Sequence, residues 1–241
     1  MKPLRYLLLF LGLVVVRAAA EGPQERDPAI GAWRISGSPE RVMIVTPGYW
    51  TMATFDQERR QFLGTMGGTH RQLGERSQGV IQFDSENRDS VGGSFEVGVS
   101  VEGDRMTIVQ EDGSEEQWTK IDDGDTPLAG TWRITSRKVG DGMQDMPLRA
   151  RRTLKILSGT RFQWVAFNVD TGEFSGTGGG TYTYQDGKYV ETIEFFSRDG
   201  SRVGASLEFS GDVNGDEWRH RGLSSRGDPI DEVWSRFEDV R

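Results

Sequence analysis

Residues 62–70, with the sequence Phe-Leu-Gly-Thr-Met-Gly-Gly-Thr-His, return as residues 174–182, with the sequence Phe-Ser-Gly-Thr-Gly-Gly-Gly-Thr-Tyr, at an offset of 112 residues. The same offset, held without a gap, superimposes other apolar residues: Ile44 on Ile156, Phe55 on Phe167, Ile81 on Ile193 and Phe83 on Phe195. A match that extends over so much of the chain indicates one domain that has been duplicated.

The two copies also begin and end alike. Each opens with Gly-x-Trp, which ends at Trp33 in the first copy and at Trp132 in the second. Each closes with a Trp two residues before a cation: Trp118 before Lys120, and Trp234 before Arg236. The same strand order is therefore expected in both copies.

The length of 241 residues is enough for two compact domains of roughly 100 residues each. We predict a first domain over residues 29–122 and a second over residues 128–241. Residues 123–127 form the linker between them, and the acidic side chains at its start, Asp122 among them, are expected to be solvated.

Residues 1–20 belong to neither domain. Lys2 and Arg5 precede the apolar run of residues 6–16, and three alanines follow at 18–20, which is the pattern of a secretory signal peptide. The run is short for a bilayer span, which needs about 20 apolar residues. We expect cleavage after Ala20 and export to the periplasm or the medium, with residues 21–28 as a flexible leader. An uncleaved membrane anchor is the alternative, and it is the one membrane contact that the sequence predicts.

Charge and composition restrict the possible partners. The net charge of −8 becomes −11 once the three cations of residues 1–20 are removed, which argues against a nucleic-acid partner. The one basic run, residues 149–152, is expected to be a solvated strand edge. The chain has no cysteine, so it forms no disulfide and cannot be lipid-modified on a cysteine at the signal-peptide cleavage site.

Turn pairs such as Asp186-Gly187, Asp199-Gly200 and Asn214-Gly215 separate short β-branched and aromatic segments at regular intervals, and the last two of these pairs bound a predicted strand at residues 202–211. This spacing indicates an antiparallel meander of eight strands in each copy, and no segment has sustained helical periodicity. An up-and-down barrel leaves no exposed edge, and glycines in the middle of the strand at residues 173–184 permit the bends that closure needs. The predicted fold is all-β, with two tandem eight-stranded antiparallel barrels.

These features together resemble the calycin superfamily, and within it the short lipocalin-like domains of exported bacterial proteins. The resemblance covers nearly all of residues 28–240. It implies that the first-strand tryptophans, Trp33 and Trp132, close one end of each barrel beneath a basic residue, for which Lys120 and Arg236 are the matching positions. The chain departs from many lipocalins in having no disulfide and no evident helix before the last strand, so its functional subgroup stays open.

Alternation along the strands selects the residues that would face the lumen. In the second copy it predicts a ligand site of aromatic and titratable side chains: Trp164, Tyr182, Glu191, Trp218 and His220. The equivalent positions of the first copy hold Met52, His70, Gly79, Met106 and Ile108. A mostly apolar pocket with a few polar groups is the usual form of a small-molecule site. The alternative is that these aromatic residues simply form the core of a small barrel.

No catalytic, metal or cofactor motif is evident. The chain has two histidines, one in each copy, which falls short of a metal site with three protein ligands. The prediction is an exported, non-enzymatic binding protein for a small hydrophobic or amphipathic molecule. A structural or interaction module of the cell envelope with packed barrels is one alternative. A calycin-type isomerase or cyclase that uses Glu191 and His220 as acid and base is the other.

Overall fold

The computed structural model describes residues 26–224 and 227–237, which fold into two closed antiparallel barrels of eight strands each. The predicted all-β fold of two tandem barrels is confirmed. None of the helical segments in these ranges is long and apolar enough to cross a membrane. The predicted signal peptide, residues 1–20, lies outside the described residues, as do residues 21–25 of the leader.

The first barrel is a simple meander in which every strand pairs with the next and the last pairs with the first. Its strands are β1 (Gly31–Ile35), β2 (Glu40–Thr46), β3 (Tyr49–Asp56), β4 (Gln61–Leu73), β5 (Arg76–Asp84), β6 (Ser94–Glu102), β7 (Arg105–Val109) and β8 (Glu115–Asp122). A short 3₁₀ turn, Arg88–Ser90, lies between β5 and β6.

The second barrel repeats this order and adds two short strands outside the ring. Its strands are β9 (Gly130–Val139), β10 (Gly142–Asp145), β11 (Arg151–Leu157), β12 (Arg161–Asn168), β13 (Phe174–Gln185), β14 (Lys188–Phe196), β15 (Ser206–Ser210), β16 (Val213–Asn214), β17 (Glu217–Leu223) and β18 (Pro229–Arg236). The ring closes where β18 pairs with both β17 and β9, while β10 and β16 each pair with one strand only. A 3₁₀ turn, Gly200–Arg202, matches that of the first barrel.

The repeated glycine stretch bends both barrels at the same place. A β-bulge lies between Gly67 and Gly68 in β4, and its equivalent lies between Gly179 and Gly180 in β13. A Cβ atom on Gly68 would collide with the carbonyl oxygen of Val80, and one on Gly180 would collide with that of Thr192. The close approach of the neighbouring strand therefore requires glycine at both corners.

A cation stacked on a tryptophan lies at one end of each barrel. Lys120 Nζ is 5.0 Å from the ring centroid of Trp33, and the Arg236 guanidinium carbon is 4.4 Å from that of Trp132. Both tryptophans are fully buried, and each indole donates a hydrogen bond of 2.8 Å to a carbonyl oxygen four residues earlier. These are the cation–tryptophan contacts that the resemblance implies; that they close one end of each barrel stays a prediction.

The two barrels pack against each other in a nearly twofold way. The rings of Phe55 and Phe195 stack at 4.8 Å, and those of Phe83 and Phe167, which are the equivalent residues, lie at 5.0 Å. Phe62 stacks on its own equivalent, Phe174, with only 8° between the ring planes. Because these ring contacts occur as an equivalent pair or join a residue to its counterpart, this part of the interface is isologous, as in a symmetric dimer.

The polar contacts of Gln163 follow the same symmetry. Gln163 accepts a hydrogen bond of 2.8 Å from Thr51, its counterpart in the first barrel. Its amide nitrogen donates to Thr65 and to Thr177, which are equivalent to each other. Gln163 is only 2% exposed, so its amide is satisfied entirely by the two barrels.

Two sequence expectations about surface charge are wrong at this interface. Arg152 was expected to be solvated, yet it is 4% exposed and donates to Gln82 of the first barrel. Asp122 was expected to be a solvated part of the linker, yet its carboxylate accepts hydrogen bonds from Ser158, Gly159 and Thr160 of the second barrel. The linker end and the basic run therefore help to join the two barrels.

Candidate functional site

The larger of the two cavities described here lies inside the first barrel and has a volume of about 300 Å³. Its wall is mostly apolar, and four of the chain's seven methionines contribute to it. The apolar lining residues include Met43, Val45, Trp50, Met52, Met66, Ile81, Phe95, Val97, Val99, Met106 and Ile108. Methionine side chains are flexible and fill space loosely, which suits an adaptable apolar pocket.

A small number of polar groups interrupt this apolar wall. Arg41 makes a salt bridge of 2.6 Å with Glu116, and its guanidinium carbon lies 5.0 Å from the ring centroid of Trp118. Both charged side chains are about one-third exposed, so this pair has access to water. His70 also lines the cavity, and its Nε2 is 2.9 Å from the carbonyl oxygen of Thr46.

A second cavity of about 220 Å³ lies inside the second barrel. Aromatic side chains make up much of its wall: Phe162, Trp164, Phe196, Phe209 and Trp234. Its titratable lining residues are Lys155, Glu191, His220 and Glu232, whereas those of the first lumen are Arg41, His70 and Glu116. The duplicated barrels have therefore diverged in the chemistry of their interiors.

A buried ion pair crosses this second lumen. Lys155 Nζ of β11 is 2.5 Å from Glu191 Oε1 of β14, and both side chains are less than 10% exposed. The Tyr189 hydroxyl donates a further hydrogen bond of 2.9 Å to the same carboxylate oxygen. Lys155 Nζ is also 5.1–5.7 Å from the ring centroids of Tyr189, Phe209, Trp218 and Trp234. The ammonium group is thus held by one carboxylate inside a cage of four aromatic rings.

His220 lies beside this ion pair and is 2% exposed. Within residues 26–224 and 227–237, neither ring nitrogen has a hydrogen-bond partner. The nearest carboxylate is that of Glu232, 3.8 Å from Nδ1 and so beyond hydrogen-bond length. Burial first, and the positive charge of Lys155 second, lower the pKa of His220 to about 4. The ring is therefore neutral at pH 7.

The structure places the five predicted site residues in two environments. Trp164, Glu191 and His220 line the second cavity. Tyr182 instead donates a hydrogen bond of 2.6 Å to the Ser158 carbonyl, and burial raises the pKa of its hydroxyl. Trp218 is fully buried and packs edge-on against Trp132. A role for any of the five in ligand binding stays a prediction.

Sequence reasoning missed two features of these interiors. One is that Lys155 and Glu232 line the second lumen together with His220 and Glu191. The other is the cavity of the first barrel, whose residues looked like simple losses of the second copy's aromatic groups. Met52 and Met106 stand where the second copy has Trp164 and Trp218, and this replacement of tryptophan by methionine was the signal for an emptier lumen.

The arrangement of titratable groups limits the chemistry that the second lumen can perform. Glu191 and His220 both line it, but Glu191 is already engaged by Lys155 and Tyr189, so it is not a free base. Across the described part of the chain, no group of three or more His, Asp or Glu residues is placed to hold a metal ion. The two cavities therefore differ in their walls: one lumen is mostly apolar, and the other is aromatic with unused hydrogen-bonding capacity.

Acidification is expected to destabilise the protein through His220. The ordinary histidine pKa of 6.5 applies to the unfolded chain and the value of about 4 to the folded chain. Between these values the unfolded chain binds more protons, so the free energy of unfolding decreases as the pH falls from 6.5 to 4. The titration of His220 alone lowers the free energy of unfolding by about 3 kcal/mol over this range. Urea denaturation at pH 7 and pH 4 measures the loss.

The matched variant for this measurement is His220→Phe, which keeps an aromatic ring but removes the titration. It should lose about 3 kcal/mol less stability than the wild type over the same pH range. An equal loss in both proteins would show that His220 is not the group responsible.

No family model and no curated protein matches this chain. Among solved structures, the chain is similar to a lipocalin-like protein from Bacteroides uniformis ATCC 8492, at 15% sequence identity and a TM-score of 0.33, over 46% of this chain and 100% of that chain. The predicted resemblance to the calycins is confirmed for the fold by the two closed eight-stranded antiparallel barrels themselves.

Proposed function

We propose that the protein is an exported, non-enzymatic binding protein that holds a small hydrophobic or amphipathic molecule in the lumen of the first barrel. The observation that carries this proposal is the cavity of about 300 Å³ among apolar side chains. That volume is at the lower end of the range of about 300–1,000 Å³ found for sites of drug-sized ligands. Packed barrels, which a purely structural module would have, do not leave such space.

The polar groups of this lumen favour an amphipathic ligand. The apolar residues Met43, Val99 and Ile108 would surround the hydrophobic part of the molecule. Arg41 is partly exposed and lies at the same cavity, so its guanidinium can donate to a polar group of the ligand while it stays paired with Glu116. Binding then needs no buried, unpaired charge.

Export is the second part of the proposal. The pattern of residues 1–20, with two cations, an apolar run and three alanines, supports a signal peptide that is removed after Ala20. Sequencing the N-terminus of the mature protein tests this part, because a cleaved chain begins at Glu21.

The binding proposal is tested by titrating the full chain with N-phenyl-1-naphthylamine, a neutral dye that fluoresces in apolar surroundings. We expect saturable binding. Val99→Trp places a large side chain in the first cavity and should weaken the dye affinity at least tenfold, because the dye and the indole compete for the same volume.

The matched variant is Ile230→Trp, which puts the same side chain into the second cavity. It should leave the dye affinity within about twofold of the wild type, because the dye has three rings and the second cavity, at about 220 Å³, holds at most two fused rings. A wild-type chain without saturable dye binding, or a loss of affinity in Ile230→Trp alone, would contradict binding in the first barrel.

A further inference from the structure

The second lumen contains an unsatisfied polar group that the ligand proposal for the first barrel leaves unexplained. His220 is 2% exposed, and in the described ranges both of its ring nitrogens lack a hydrogen-bond partner. Burying a polar group without a partner is destabilising, and most native proteins avoid it. Since His220 lines the cavity, a molecule in that cavity could supply the missing hydrogen bond.

The protonation state of His220 defines what the molecule must offer. With a pKa of about 4 the ring is neutral at pH 7, so one nitrogen donates and the other accepts. A hydroxyl or an N–H group on the ligand can donate to the accepting nitrogen. Glu232, whose carboxylate is 3.8 Å from His220, offers a second acceptor close by.

The charge of the cavity argues against an anionic ligand. Lys155, the one cation among the described residues of the cavity wall, is already paired with Glu191 at 2.5 Å. Glu232 adds a second carboxylate. Burial raises its pKa, but its contacts with His220, Lys155 and Trp234 together outweigh burial, so the pKa lies below the ordinary value. With one ammonium, two carboxylates and a neutral imidazole, the described lining residues carry a net charge of −1. A carboxylate ligand would add a further negative charge to a poorly solvated space.

The size and the wall of the cavity favour a flat ring. A dry cavity of about 150 Å³ is enough to hold benzene, so a volume of about 220 Å³ accommodates one ring or two fused rings. Phe162, Trp164 and Phe209 contribute aromatic surfaces to the wall. Rings of this kind pack against a planar ligand in stacked or edge-on arrangements.

We propose that the second barrel binds a small, uncharged aromatic molecule that carries a hydroxyl or N–H group, and that His220 is its hydrogen-bond partner. The protein then has two binding sites of different selectivity within one chain. The first lumen accepts apolar or amphipathic molecules of varied shape. The second selects for a ring with one hydrogen-bond donor and rejects carboxylates.

The test uses the full chain and three naphthalene compounds that differ in one substituent: 2-naphthol, naphthalene and 2-naphthoate. Each is titrated while the imidazole nitrogen signals are followed in a long-range ¹H–¹⁵N spectrum. The chain has two histidines, one lining each cavity, so the signals of His70 and His220 report the two lumens separately. Spectra of the His220→Phe variant assign the two sets of signals.

We expect 2-naphthol to shift the His220 signals saturably, with an affinity about tenfold higher than that of naphthalene, which lacks the donor. 2-Naphthoate should leave these signals unchanged. Equal affinities for 2-naphthol and naphthalene, or shifts caused by 2-naphthoate as strong as those by 2-naphthol, would overturn the proposal. If all three compounds shift the signals of His70 and none shifts those of His220, this proposal is overturned, while the proposal of ligand binding in the first barrel stands.

A charge variant tests the reason for the selectivity. Glu232→Gln removes one negative charge from the cavity and should allow 2-naphthoate to bind within about tenfold of 2-naphthol. Leu223→Phe alters an exposed residue on the same strand as His220 and should preserve the wild-type selectivity. Continued rejection of 2-naphthoate by a folded Glu232→Gln protein would contradict the role of the cavity charge.

Discussion

Replacing Lys155 with methionine is expected to lower the free energy of unfolding by about 3–5 kcal/mol at pH 7, because it leaves Glu191 buried without its cation. The Glu191 side chain is 5% exposed, and its remaining partner is the Tyr189 hydroxyl, which cannot neutralise a carboxylate. The loss should shrink at low pH, where the isolated carboxyl group takes up a proton. Urea denaturation followed by tryptophan fluorescence measures both values.

Two comparisons separate this effect from a general loss of packing. The double variant Lys155→Met with Glu191→Leu removes both charges and should recover most of the stability, as in other buried ion pairs replaced by apolar residues. Lys188→Met removes the cation of an exposed pair with Glu208, at 2.8 Å, and should cost less than about 1 kcal/mol. A Lys155→Met protein as stable as Lys188→Met would show that the buried pair is not formed.

The interface between the barrels leads to the second large effect. Phe55→Ala and Phe167→Ala should each destabilise the protein by about 3–5 kcal/mol, because each deletes a buried ring from a contact between the two barrels. Since the two positions are equivalent in the duplicated structure, the two losses should be similar. Both variants, like the wild type, should unfold in one transition, because the core clusters contain residues of both barrels.

The control for these variants is Leu223→Ala, which shortens a side chain that is 55% exposed and should change stability by no more than about 0.5 kcal/mol. Two results would contradict the twofold interface. One is two separate unfolding transitions in the wild type. The other is that only one of the two alanine variants loses less than about 1 kcal/mol of its free energy of unfolding.

Much of the fold could be predicted because the sequence contains the same domain twice. The offset between Phe62 and Phe174 aligns the strands, and the turn pairs mark their ends. The clearest error in strand position is at residues 202–211, where β15 begins only at Ser206. Asp199 was taken for part of a tight hairpin turn, but its carboxylate accepts a hydrogen bond from the Ser201 amide and caps a 3₁₀ turn. That longer connection shortens the strand.

The candidate site was harder to predict for a geometrical reason. Alternation along one strand indicates which residues face the lumen, and it placed Trp164 and Glu191 at the second cavity. It does not indicate which residue of a strand across the barrel meets them, so Lys155 on β11 was missed as the partner of Glu191 on β14. The burial of Arg152 was missed likewise, because a sequence pattern does not contain the relative orientation of two barrels.

Cavity size was also beyond the sequence pattern. An aromatic residue at an inward position can serve as a ligand contact or fill the lumen, and Trp218 fills the space beside Trp132 in the second barrel. Met106 at the equivalent position leaves more space in the first barrel. The first copy, which has fewer aromatic residues at these inward positions, therefore contains the larger cavity.

The most direct measurement of the central claim is a crystal structure of the full chain with N-phenyl-1-naphthylamine. If the first barrel is a binding lumen, the dye will lie inside it, with its rings in contact with Met43, Val99 and Ile108. A lumen filled by rearranged methionine side chains, with the dye bound only to the outside of the barrels, would contradict this account.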